Sequence, residues 1–201
     1  MTLNEITGAM QAYKNLQKKG DSDQMIQLFS EGNAFQYERD PNNKVAPGGN
    51  QPYVHAYPGI INGELKMFVI SAYLDVSNNP DIANQVKVYS LVELQPSATS
   101  IGGGLPITEA LTRIDAWINN YQTWIKTNIS TMFGGFLIPQ DDSSFGNYHN
   151  AFFALNGQIA DIVVEDIENQ QIEYFDTVTP VPPFGSGAAA ESCFYLLSLI
   201  S

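Results

Sequence analysis

"YVHAYPGIINGELKMFVISAYLD", residues 53–75, is the stretch on which the fold turns. Its two apolar runs flank Asn62-Gly63, a pair suited to a two-residue type I′ turn because both central positions need positive φ. That turn sets a register in which Ile61 faces Glu64, Tyr57 faces Phe68 and His55 faces Ile70. Side chains alternate along each strand, so Tyr53, His55, Tyr57, Lys66, Phe68 and Ile70 share one side of the hairpin. Val54, Ala56, Leu65, Met67 and Val69 take the other side. Pro58 has no N–H to give a ladder and is expected at an edge or a bulge. A third strand, Val86 to Leu94, is expected to join the pair after the turn "SNNPD".

Outward from the hairpin, residues 1–32 read as two short helices. Thr2 and Glu5 have the spacing of a capping box, in which each side chain takes a free N–H of the first turn. Leu3, Ile6, Met10, Tyr13 and Leu16 follow at helical spacing, and Gly20 suits a left-handed stop. Asp21 and Gln24 repeat the pattern ahead of Met25, Leu28 and Phe29. After residue 94 the longest helix starts near Ile107. Its stripe of Ile107, Ala110, Leu111, Ile114, Trp117, Ile118, Tyr121 and Ile125 is broad enough to lie across a sheet. Trp124 falls off the centre of that stripe and is a candidate contact residue. The glycines at 102–104 lack the Lys-Ser/Thr of a phosphate loop, because Leu105-Pro106-Ile107 follows them.

Residues 133–201 read as acidic strands. Asn156-Gly157 signals one tight hairpin. A turn from Glu168 to Gln171 signals another, pairing Ile167 with Ile172. "CFYLLSLIS", residues 193–201, reads as a closing strand. These elements predict a single α+β domain over 1–201. Its sheet is mostly antiparallel, of about six to eight strands, with two short N-terminal helices and one long central helix packed on one face.

A chain of 201 residues that is 44% hydrophobic and 11% aromatic is long and apolar enough for a sizeable core. Its charged content of 15% is well below the roughly 25% of an average domain, with Asn and Gln in place of charge. The net charge of −12 is unevenly spread: no Lys or Arg occurs after Lys126. Binding to nucleic acid or to an anionic membrane surface needs clustered cations, so neither is expected as a partner. A lone cysteine, Cys193, permits no internal disulfide. The first residues lack the order of a signal peptide, and no apolar run approaches the roughly 18 residues that span a bilayer. The cytoplasm is the default expectation; export without a signal, or incorporation in an extracellular assembly, also fits this composition.

Three groups of residues can carry chemistry. Pairing Ile167 with Ile172 puts Asp176 opposite Val163, with Asp161 and Glu165 diagonal to it on one face. Three carboxylates so placed suit Ca²⁺ or Mg²⁺, or an acid/base pair of shifted pKa values. No other cofactor is implied. His55, Tyr57 and Phe68 can line a small-ligand pocket, and His149 is expected in the loop "GNYHN". Cys193 with a histidine is the remaining nucleophile arrangement, although an apolar run surrounds it. Pro180, Pro182 and Pro183 read as an ordered crossover leading to Phe184, which with Trp124 is a candidate interface residue. The function these residues favour is a non-enzymatic binding or assembly protein. Its acidic, aromatic-rich C-terminal third would contact a protein partner or a second copy. The alternatives are a metal-assisted or acid/base hydrolase on the last hairpin, or a ligand pocket at His55.

Overall fold

The computed structural model describes residues 1–40, 42–46, 51–99, 104–140, 148–168, 171–176, 178–181 and 194–200. Helices α1 (Leu3–Lys19) and α2 (Ser22–Phe29) open the chain. Thr2 and Glu5 form the capping box: the Glu5 N–H donates to Thr2 Oγ1 at 3.3 Å and the Thr2 N–H donates to the Glu5 carboxylate at 2.7 Å. Gly20 ends α1 at φ 70°, and the Asp21 carboxylate caps α2 through the Gln24 N–H. With 17 residues, α1 is longer than the short helix expected.

The strands are β1 (Ala34–Glu38), β2 (Tyr53–Ile61), β3 (Glu64–Ser71), β4 (Lys87–Val92), β5 (Gly135–Pro139), β6 (Tyr148–Asn156), β7 (Ile159–Glu168), β8 (Gln171–Phe175) and β9 (Thr179–Val181). Between and after them lie α3 (Ile82–Gln85), α4 (Ile107–Asn128) and α5 (Tyr195–Ser198). The strands form one nine-stranded antiparallel sheet in the order β8-β7-β6-β1-β4-β3-β2-β5-β9. The α+β class is as expected, with a strand count just above the expected range. β9 escaped the sequence reading because of Pro180, which is admissible at the sheet edge where no second neighbour needs its N–H.

Both hairpin registers are those expected. Ile61 pairs with Glu64, Tyr57 with Phe68 and His55 with Ile70; Ile167 pairs with Ile172. Asn62 and Gly63 both have positive φ, 54° and 84°, as a type I′ turn requires. At the β6–β7 turn Asn156 pairs with Ile159, so Gly157 and Gln158 make the turn. Only Gly157, at φ 64°, has positive φ there, the pattern of a type II′ turn. Pro58 lies in β2 beyond the residues that pair with β5.

The sheet buries apolar residues on both faces, and consecutive phenylalanines show it. Phe153 joins the largest cluster with Phe29, Phe35, Trp117, Phe133 and Phe136, whereas Phe152 packs with Ala34, Ala110, Ile114, Val163 and Tyr174. Burying each such ring stabilises the fold by roughly 1.5–3 kcal/mol before ordering costs. A third cluster joins Tyr57, Phe68 and Ile70 to Ile6 and Met10 of α1 and to Phe194 and Leu196. Here α1 crosses β2 so closely that a Cβ on Gly59 would stand 3.0 Å from the α1 backbone. The sheet curls, and β9 comes alongside β7. The chain from β8 to β9 therefore crosses a seam.

Two expectations are corrected. The closing segment is not a strand: Tyr195–Ser198 forms a single helical turn, stabilised from a distant part of the chain by the Asp75 carboxylate, which accepts the Leu196 N–H at 3.0 Å. The inward stripe of α4 is also rotated. Trp124 is buried and Ile118 exposed, because the C-terminal half of the helix turns toward Phe133 and Ala160 in the largest cluster.

Candidate functional site

The first hairpin brings His55, Tyr57 and Phe68 together, all with 0% exposure. The residue that organises them is Asp75, in the turns after β3, which sequence spacing did not single out. Its Oδ2 lies 2.7 Å from His55 Nδ1 and accepts the Tyr57 hydroxyl; its Oδ1 accepts the Leu196 N–H. The ring of Phe194 stacks on His55 at 3.8 Å between centroids and 19° between planes, with its edge-to-face contact on Tyr57. The space a ligand would need beside His55 is thus filled by the chain itself. His55 Nε2 is buried and has no hydrogen-bond partner among the described residues. Such an arrangement pins the C-terminal turn to the sheet. An Nδ1–carboxylate contact also orients a catalytic imidazole, but here the other nitrogen is buried.

His149 is not in a loop. It belongs to β6, is buried, and stands 3.3 Å from Asp166 through Nδ1, with its ring 5.2 Å from that of Tyr37. The two histidines lie in different parts of the sheet and do not meet.

The carboxylates of β7 and the chain after β8 separate into two environments. Glu165 is buried and accepts the Ser97 N–H at 2.7 Å, the Asn150 amide at 2.6 Å and the Tyr174 hydroxyl at 2.7 Å. Burial, and then the facing Glu165, raise the pKa of the Tyr174 hydroxyl. Asp161 and Asp176 instead converge on Arg113 of α4. The guanidinium donates to Asp176, approaches Asp161 at 3.4 Å and pairs with Glu109 one turn away. Desolvation, and then the neighbouring Asp176, push the Asp161 carboxyl from an ordinary 3.8 up to about 8. A guanidinium thus occupies the place where the sequence reading put a metal ion, and Glu165 faces other donors. Among the described residues, no group of three or more His, Cys, Asp or Glu side chains is gathered to hold a metal ion.

Trp124 lines a cleft of about 220 Å³ at the seam, with Phe133, Ile159, Ala160 and Pro180 as its other apolar walls. Asn128, Thr131 and Gln158 complete the lining. The Trp124 indole donates to the Gln158 carbonyl at 2.8 Å, which fixes the ring as one wall. Ile159 is 63% exposed at the rim. The N–H of Gly134 donates to the Val181 carbonyl at 2.7 Å and holds β9 in place beneath it. Phe184, Pro182, Pro183, Cys193 and the glycines at 102–103 lie outside the described residues.

No protein-family model, no curated protein and no solved structure matches this chain. Sequence reasoning missed Asp75 and Arg113, and for one reason. Each acts on residues far away in the chain, Arg113 at separations of 48 and 63, where short-range spacing carries no signal.

Proposed function

We propose that the protein is a non-enzymatic binding protein that seats an apolar side chain of a basic protein segment in the cleft between Trp124, Ile159 and Pro180. The observation that carries this reading is the exposed Ile159 in the lining of a cleft that also holds the hydrogen-bonded Trp124 indole. Large aromatic walls with an aliphatic rim are what anchor residues of a partner bury with few rotamers to freeze. The charge of the chain selects the partner's sign. With 21 acidic against 9 basic residues, and no Lys or Arg after Lys126, a lysine-flanked anchor is attracted while a second acidic copy is repelled. The two histidine environments support no reaction in this reading, because both imidazoles are buried under the protein's own side chains.

The test is fluorescence anisotropy with a labelled synthetic peptide carrying Leu and Phe between lysines, set against the same peptide with glutamates in place of lysines. The lysine peptide is expected to bind and to weaken with added salt. Ala160→Trp, which fills the cleft, is expected to reduce its affinity at least about tenfold. Equal binding of both peptides, or unchanged binding by a folded Ala160→Trp variant, contradicts the proposal.

A further inference from the structure

We propose that Asp161, Arg113 and Asp176 form a proton-linked clasp on the seam, holding the chain that leaves β8 against α4 while Asp161 carries its proton. The geometry that points to this is a shortage of positive charge. One guanidinium serves three carboxylates, Glu109 from its own helix, Asp161 from β7 and Asp176 from the chain following β8. The Arg113 and Asp161 side chains are 12% and 6% exposed and that of Asp176 is 17% exposed, so water does little to screen these three, whereas Glu109 is 48% exposed and is screened. The residue facing Asp161 across the ladder on β6 is Ala154, which offers no charge. Among the described residues, the Asp161 carboxylate accepts from the Ile162 N–H at 2.8 Å besides its contact with Arg113.

Protonated, Asp161 adds no charge to the cluster, and Arg113 balances Asp176 and Glu109 with one net negative charge left over. Ionised, it sets two largely buried carboxylates, Asp161 and Asp176, against one guanidinium that half-exposed Glu109 also shares. Desolvation and Asp176 raise its pKa from 3.8 to about 8, so the folded protein keeps a proton that the unfolded chain releases. The contribution to stability is therefore full below the unfolded value, declines as pH rises across that window, and is gone above about 8. Repulsion acts first on Asp176, the residue that leads from β8 toward β9 and Pro180. Loosening there frees the wall of the cleft. That consequence for binding rests on the function proposed above, whereas the clasp itself does not.

Two seam amides report on the clasp: Leu105, which donates to the Tyr174 carbonyl at 2.9 Å, and Gly134, which donates to Val181. Hydrogen exchange, corrected for the intrinsic pH dependence, is compared with amides of the β2–β3 hairpin between about pH 6 and about pH 9. The expected result is a loss of relative protection of about tenfold at the seam in the wild type, and none in Asp161→Asn. A constant ratio in the wild type, or the same loss in Asp161→Asn, overturns the clasp. Should Asp161→Asn not fold, a carboxyl-carbon NMR titration of the wild type decides: a midpoint for Asp161 near neutral or above supports the clasp, and ionisation throughout this range overturns it. Peptide anisotropy in the same samples separates the two readings. A seam that loosens without peptide binding at neutral pH leaves the clasp standing and removes the binding function; binding with a pH-independent seam does the reverse.

Discussion

Asp75 and Asp161 are both buried carboxylates tying a late segment of the chain to the sheet, yet their partners differ in kind. Asp75 is surrounded by several directed partners: an imidazole, a phenol and a backbone N–H. Among the described residues, Asp161 has one backbone N–H and a share of a guanidinium that also pairs with Asp176 and Glu109. The first site is closed further by Phe194, whereas the second lies beside an open cleft lined by Trp124 and Ala160. Satisfying a buried carboxylate with several directed donors makes a fixed joint; satisfying it with a shared cation leaves a joint sensitive to one proton. Glu165 sharpens the lesson, since it sits four residues along the same strand face as Asp161 and has three donors of its own.

The largest effect is expected at the fixed joint. Asp75→Ala strands the Tyr57 hydroxyl, a His55 nitrogen and the Leu196 N–H in a dry site, and chemical denaturation should show a loss of about 3 kcal/mol. A loss below about 1 kcal/mol would mean that these groups find other partners and that the two sites do not differ as described. Next comes the proton-sensitive joint, where Asp161→Asn is expected to gain about 1 kcal/mol over the wild type at about pH 9. That gain should shrink as pH falls and vanish only below the unfolded value of 3.8, where the folded and unfolded chains both keep the proton. A gain that is constant with pH would contradict the linkage. At the cleft rim, Ile159→Lys should change stability by less than about 0.5 kcal/mol, because the side chain is already mostly in water. The same substitution should abolish binding of the lysine peptide. The smallest effect is expected for Lys87→Ala: its pair with Glu38 is exposed on both sides, and the change should fall within about 0.5 kcal/mol.

What the sequence revealed was local. Asn62-Gly63 dictated the register of the first hairpin, and pairing Ile167 with Ile172 placed Asp161 and Asp176 on one face, because the turn chemistry and the two-residue period act over a few positions. The long helix was legible for the same reason, although its rotation was not. Whether Trp124 or Ile118 points inward depends on Phe133 and Ala160, which the helix does not contain. The run "CFYLLSLI" has the same apolar pattern as a strand or a buried helical turn. Its helical outcome is supported by a cap from Asp75, a residue 121 positions away. The arginine that meets the acidic hairpin was invisible in the same way: the charge count showed no cation after Lys126, and the fold brings one back from Arg113.

On the proposed function, a partner docks at the seam cleft while the His55 hairpin stays closed. The chain has two tryptophans, and they stand as reporter and control. Trp124 lines the cleft with its indole N–H bonded to Gln158, and Trp117 is buried within the core. Titrating the ¹⁵N-labelled protein with the lysine peptide should move the Trp124 indole resonance together with the amides of Ile159 and Ala160, and leave those of Trp117 and the His55–Tyr57 strand in place. Saturable shifts at His55 and Tyr57 with a stationary Trp124 indole would contradict it.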